Sequence, residues 1–312
     1  MKRKALKITL ISVAAFLLVC VITLYCVAVS IYKGSFNYRC DTKAENRFSV
    51  DDFDSLKAER HTFKSNKGQT LVGYLYENTD ETVDVKGLIV FAHGLGAGGQ
   101  IGYLDIFDIM VRGGYSVFAY DATANDESEG EVVGGLPQGF VDLDYAITYA
   151  ETIDKVKDLP VLLVGYSWGG LSVTNALNFH KEVKGVASLA GWNKSLDLIE
   201  HRGVQMVGGF AKALIPFASV YEFFTYGEKY SSSSSMKGFK NTDCPVMIVH
   251  GEKDDNILPK YGYDLYYEKY KNDSRFTFKS YPDRDHDVLH NADKTLDTNL
   301  FNEVVTFFNS CL

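Results

Sequence analysis

Cysteine is scarce in this chain, five in 312 residues, and no two stand as a CxxC pair, so the spacing of a cysteine-based zinc or redox motif is missing. Cys20 and Cys26 fall inside an apolar run, which leaves Cys40, Cys244 and Cys311. An odd trio can hold one disulfide at most. None of the three has the neighbouring His or Lys of an activated thiolate, so ordinary thiols are expected. Positive charge is also short. Lys and Arg number 32 against 40 Asp and Glu, a formal net charge of −8. No basic surface is left to neutralise phosphates, and nucleic acid is not expected as a partner. No segment repeats at a fixed period. The one low-complexity tract, Ser231 to Ser235, is expected as a flexible surface loop. What is present is a globular composition, 46 % apolar and 23 % charged, in a chain long enough for one large domain.

Charge is absent altogether from residues 8–32. This mostly apolar run follows Lys2, Arg3, Lys4 and Lys7, and a helix needs about 20 residues to cross the hydrocarbon core. A cleaved signal peptide usually has a shorter apolar stretch, although Ala28-Val29-Ser30 offers a weak cleavage site. A buried core helix is a poor fit, since no face is polar and the bases gather at one end. The expectation is a single-pass signal-anchor in the cell membrane: a basic cytoplasmic tail at 1–7, a span at 8–32 and a linker at 33–55. Lys33, Arg39 and Lys43 beyond the span make the basic bias modest, but it points the globular body out of the cytoplasm.

Residues 56–312 alternate strand-like and helix-like stretches. His61 to Ser65 and Thr70 to Glu77 read as strands joined by a turn at Asn66-Lys67-Gly68. Short runs apolar on both faces follow: Gly87 to Ala92, Tyr115 to Tyr120, Val161 to Val164, Val186 to Leu189 and Val246 to Val249. Such runs suit buried parallel strands. Phe140 to Ile153 has helical spacing, and a strand at Phe276 to Tyr281 and a helix near Leu300 to Phe308 close the series. The expected fold is α/β, a mostly parallel twisted sheet with helices on both faces. Its ligands would bind at the carboxyl ends of the strands.

Chemistry-bearing residues fall at those ends. Gly165-Tyr166-Ser167-Trp168-Gly169-Gly170 follows one strand and opens a helical run. Glycines let such a turn tighten and lift the serine hydroxyl above the sheet. His93-Gly94-Leu95-Gly96 ends an earlier strand. An oxyanion needs two backbone donors, and Trp168 and Leu95 are the candidates; His93 reads as structural. An acid at the end of the 246–249 strand could orient an imidazole, with Asp254 preferred to Asp255. His286, just past the last strand, is the candidate base, and His290 its rival. The order Ser, Asp, His along the chain suits that assignment. Two other classes stand beside it. His286-Asp287-Val288-Leu289-His290 is a variant of the zinc pattern HExxH with a shorter acid. A non-catalytic binding protein on the same fold is the other, because fold alone does not fix function.

From about residue 56 to 312 the chain resembles the α/β-hydrolase superfamily, most of all its bacterial serine-aminopeptidase-like and monoglyceride-lipase-like branches. The motifs that carry this are His93-Gly94-Leu95-Gly96, Gly165-Tyr166-Ser167-Trp168-Gly169-Gly170, His250-Gly251-Glu252-Lys253-Asp254 and Asp285-His286. The resemblance implies an acyl-enzyme mechanism on Ser167, Asp254 and His286 and a short helical cap at about 192–240. A small ester is the expected substrate, with peptide or thioester hydrolysis and acyl transfer open on the same triad, and no cofactor or metal is expected. One stretch departs from pattern. Relatives carry Asp-x-Arg-Gly-x-Gly-x-Ser where this chain has Asp121-Ala122-Thr123-Ala124-Asn125-Asp126-Glu127-Ser128. Aromatic residues crowd the cap (Phe210, Phe217, Tyr221, Phe223, Phe224, Tyr226), which suits an apolar substrate group or simple packing of the cap.

Overall fold

The computed structural model describes residues 2–96 and 98–312. Helix α1 (Lys2–Ser35) is followed by β1 (Leu56–Lys64), β2 (Thr70–Asn78), β3 (Gly87–Ala92), α2 (Leu104–Arg112), β4 (Tyr115–Tyr120) and α3 (Pro137–Ala150). Then come β5 (Val161–Tyr166), α4 (Trp168–Ala176), β6 (Gly185–Leu189), α5 (Ser195–Val207), α6 (Ala211–Ser231) and α7 (Ser235–Asn241). The chain closes with β7 (Val246–Gly251), α8 (Tyr263–Tyr270), β8 (Phe276–Tyr281) and α9 (Thr298–Cys311).

The strands form one sheet in the order β1-β2-β4-β3-β5-β6-β7-β8, parallel from β4 to β8. The first two strands pair antiparallel, as a hairpin requires. Every residue of β3 is buried, and its side chains split by the two-residue period of a strand. Leu88, Val90 and Ala92 join the core under α3 and α4, whereas Ile89 and Phe91 join the core under α2 and α9. Continuous apolar runs are what this two-sided burial demands.

Sheet order reverses between β3 and β5, and that crevice is where such sheets bind ligands. Register brings the loops together there: Ala92 lies beside Gly165, Tyr166 beside Leu189, Leu189 beside Val249, and Gly251 beside Tyr281. The loops after residues 92, 166, 251 and 281 therefore leave one edge of the sheet.

Residues 195–241 form the insertion between β6 and β7. Its helices break at Gly208 (φ 67°) and Gly227 (φ 75°), where a left-handed backbone favours glycine. By length and composition this stretch is apolar enough to cross a membrane, as α1 is, but these breaks rule out one straight rod. The serine tract closes the insertion and is not an exposed loop. Ser233, Ser234 and Ser235 are buried. Ser235 Oγ lies 2.7 Å from Thr174 Oγ1, and the Ser235 amide donates to Asn193 O at 3.1 Å. Small hydroxyls fit this knot, where the insertion leaves and rejoins the sheet, and low complexity concealed it.

Helix α1 has two parts. No described side chain before Ala28 is buried, whereas Ala28, Tyr32 and Phe36 are, at a four-residue spacing that marks one helical face. The stretch expected as a linker is packed as well. Arg39 donates to the carbonyls of Ser128 and Gly130, and the Thr42 amide donates to Asp126 Oδ1 at 2.8 Å. The five cysteines are free thiols. Burial pushes Cys244 up to about 12, which keeps it a protonated thiol.

Candidate active site

Ser167 sits at the turn from β5 to α4 with φ 54° and ψ −113°, a strained conformation for a residue with a side chain. The turn holds because its neighbours are glycines. A Cβ on Gly165 would strike the Gly169 carbonyl, and one on Gly169 would strike that of Ala92. The Ser167 amide donates to Leu189 O at 2.7 Å, pinning the turn to β6.

His286 Nε2 lies 2.7 Å from Ser167 Oγ, and His286 Nδ1 lies 2.8 Å from Asp254 Oδ2. Asp254 is buried, and its other oxygen accepts from the amides of Asn256 (3.0 Å) and Ile257 (2.8 Å). His250 Nε2 stands 3.2 Å from Oδ2 and 2.9 Å from Ile257 O. Burial alone would raise the Asp254 carboxyl, but His250, His286 and the Ile257 amide hold it well below the usual carboxylate range. An ionised Asp254 fixes the proton on His286 Nδ1 and leaves Nε2 free to accept from the serine.

Leu95 follows β3 and Trp168 opens α4, so both lie beside the serine turn. Neither backbone amide donates to an acceptor among the described residues. The Trp168 indole is committed elsewhere, donating to Leu136 O at 2.8 Å. His93 Nε2 accepts from the Ala122 amide at 3.0 Å, and burial lowers its pKa, as befits a neutral structural imidazole.

The rivals lie apart. His290 Nδ1 is 2.8 Å from Asp287, and residues 286–290 form no helix. Without a helix the i, i+4 geometry of a zinc motif is lost, and both ring nitrogens of His286 are already engaged. Asp255 is exposed.

Residues 87–299 match the family described as the alpha/beta hydrolase fold. The chain belongs to that family. Among solved structures it is similar to an esterase from Pyrococcus furiosus, at TM-score 0.61 and 16 % identity over 88 % of this chain and 98 % of that one. An acylaminoacyl peptidase from Pyrococcus horikoshii is similar at TM-score 0.60 and 18 % identity, over 82 % of this chain and 42 % of the peptidase. An alpha-beta hydrolase from Vibrio vulnificus shares the fold at TM-score 0.59 and 16 % identity, over 85 % and 83 % of the two chains. No curated protein matches the sequence.

Several supports of this hydrolase-fold site escaped the sequence reading. Tyr166 OH donates to His286 O at 3.2 Å, and its ring lies 5.5 Å from the imidazole. Arg284 stacks on Tyr281 at 3.7 Å, donates to Val288 O and pairs with Asp297 at 2.7 Å, bracing the loop that carries His286. Asp126 joins the stretch expected as a linker to the loop after β3: Thr42, Arg47 and the Gly99 amide all bond to it. Arg39 and Arg47 reach the 121–130 loop from outside it. Contacts between segments this far apart are invisible in a linear motif.

Proposed function

We propose that the protein is a membrane-anchored serine hydrolase that cleaves a carboxylic ester through Ser167, His286 and Asp254. The observation that carries this reading is the hydrogen-bond chain Ser167 Oγ, His286, Asp254 at 2.7 and 2.8 Å on a strained turn. Ser167 Oγ attacks the carbonyl carbon while its proton passes to His286 Nε2. The amides of Leu95 and Trp168 receive the oxyanion, and the N-terminus of α4 favours that charge. Collapse expels the alcohol, which takes the proton from His286. Water then attacks the acyl-serine, giving its proton to the same nitrogen, and the carboxylic acid leaves as the serine is restored. No cofactor enters these steps.

An apolar cavity of about 590 Å³ beside Leu95 favours an acyl group over a peptide. The anchor lies within residues 8–32 of α1, an apolar run long enough to cross a bilayer, and the basic residues before it favour a catalytic body outside the cytoplasm.

A fluorophosphonate probe applied to the full chain in membranes tests the chemistry. Labelling is expected, and is lost in Ser167→Ala, together with turnover of a graded series of esters. Absence of both labelling and turnover would overturn the reading. Activity that a chelator abolishes, with no labelling, would replace it by zinc chemistry. For the anchor, the protein should stay with membranes through an alkaline carbonate wash; release into the supernatant would count against it.

A further inference from the structure

Helix α1 does more than tether the domain. An apolar cavity of about 590 Å³ runs between α1 and the cap. Ala28, Ile31, Tyr32 and Phe36 form one wall, and α5 and α6 form the other, through residues such as Met206 and Leu214. Leu95 and Leu136 also line it. Leu95 carries a candidate oxyanion amide, and Leu136 O accepts from the indole of Trp168, the residue after Ser167, so two lining residues adjoin the groups around the serine. Its rim is apolar and open: Ile31 is 43 % exposed and Met206 75 %.

Where that rim lies follows from the helix. Residues 8–27 precede the first buried side chain, Ala28. Twenty residues at 1.5 Å each make about 30 Å, the thickness of the hydrocarbon core. With α1 as the proposed anchor, the helix meets the cap at the level where it leaves the bilayer, which puts Ile31 and Met206 at that boundary. A polar bond sets the angle. Tyr32 OH donates to Glu222 Oε1 at 2.7 Å, and Ser195 Oγ donates to Glu222 Oε2 at 2.8 Å, all three buried. Lys33 lies over the Tyr221 ring at 5.6 Å.

Building on the serine hydrolase reading, we propose that the last two turns of the anchor helix form part of the substrate site, and that the substrate is an acyl ester dissolved in the same membrane. Its chain enters from the bilayer between α1 and the cap and lies along Ile31, Tyr32 and Leu214, with its ester at Ser167. A volume within the range of single-ligand sites suits one acyl chain, and an apolar chain that moves from lipid to this wall never crosses water. The site is incomplete without α1.

The test uses the full chain in phosphatidylcholine vesicles, with 4-methylumbelliferyl palmitate in the bilayer and the butyrate ester in water. Ile31→Trp and Met206→Trp narrow the mouth from opposite sides. Each should lower the palmitate-to-butyrate turnover ratio by about tenfold or more, the effect of overpacking a fitted wall. A ratio within twofold of wild type in both variants overturns the proposal, and so does equal loss of both esters in both. A second measurement avoids substitution. A palmitoyl ester with a mid-chain diazirine, photolysed in vesicles with Ser167→Ala protein, should label peptides spanning 28–36 and 198–218. Labelling confined to residues 8–27 overturns the proposal. Failure of wild type to turn over either ester, with no fluorophosphonate labelling, would instead sink the hydrolase reading itself.

Discussion

The carboxyl edge of the sheet and the anchor-cap side are built on opposite terms. At the sheet edge every strand residue of β3 and β7 is buried, loop positions follow from register, and each reactive group is held by at least one hydrogen bond. On the anchor-cap side the helices are broken by glycine, large apolar side chains face outward (Phe224 is 78 % exposed), and one carboxyl ties the parts together. Preorganisation belongs where charge develops. Plasticity and exposed grease belong where an apolar group must be admitted. On the proposed function, chemistry belongs to one region and selection to the other, and substitutions can separate them.

The largest effects should come from the sheet edge. Ser167→Ala is expected to lower ester turnover by about 10⁶-fold and Asp254→Asn by about 10⁴-fold, with the fold intact. Asp255→Asn should stay within about twofold, as an exposed surface substitution. Equal losses in the two aspartate variants, read by steady-state turnover and thermal melting, would break the assignment of the acid.

Next comes the tie between anchor and cap. Burial pushes the Glu222 carboxyl up to about 7, against the downward pull of the Tyr32 and Ser195 hydroxyls. A raised carboxyl contributes stability that is fully present below its ordinary value of 4.5 and is lost as pH rises through 7. The loss is worth about 3 kcal/mol at alkaline pH. Wild type should therefore melt lower at pH 8.5 than at pH 5.5, and Glu222→Gln should flatten that difference. Burial also raises Asp121 to about 7, so the slope of the variant relative to wild type is the informative quantity. Identical slopes would remove Glu222 from the account.

A smaller effect is expected where the cap meets the sheet domain. Asp144, on α3, pairs with His180 and Lys229 and accepts from Tyr230 OH at 2.6 Å. Burial would raise its carboxyl, but those partners lower it to about 2. The stability it contributes is present above about pH 4 and is lost as pH falls toward 2. Asp144→Asn should cost about 2 kcal/mol at neutral pH, less than a fully buried pair because Lys229 is half exposed. Urea unfolding at pH 7 and pH 3 measures it, and a variant as stable as wild type at pH 7 would count against the tie. The smallest effect is none: with all five cysteines free, dithiothreitol should leave the melting temperature within about 1 °C.

Legibility in the sequence divides along the same line. Strands such as Gly87–Ala92 could be read because two-sided burial writes an unbroken apolar run. Ser167, Asp254 and His286 could be singled out because strand ends are marked by glycine and acid, and the structure brings these three side chains together. Tyr166 and Arg284 could not be singled out, since what they do depends on which carbonyl the fold delivers to them. The stretch at 33–55 reads as a linker because its partners, Asp126 and the Ser128 carbonyl, lie over 80 residues away. The tract Ser231 to Ser235 reads as a flexible surface loop because composition carries no sign of burial. First-strand length was underestimated, as β1 begins at Leu56, where its polar outward residues mask the alternation.

With α1 as the proposed anchor, the row Ala28, Tyr32 and Phe36, seated against the cap, would hold Ser167 at one height above the bilayer. A catalyst on a slack tether samples a volume, and its rate follows how much substrate that volume holds. One held at fixed height works in two dimensions. Its rate should follow the mole fraction of ester in the surrounding leaflet, and diluting the vesicles at constant lipid composition should leave turnover unchanged.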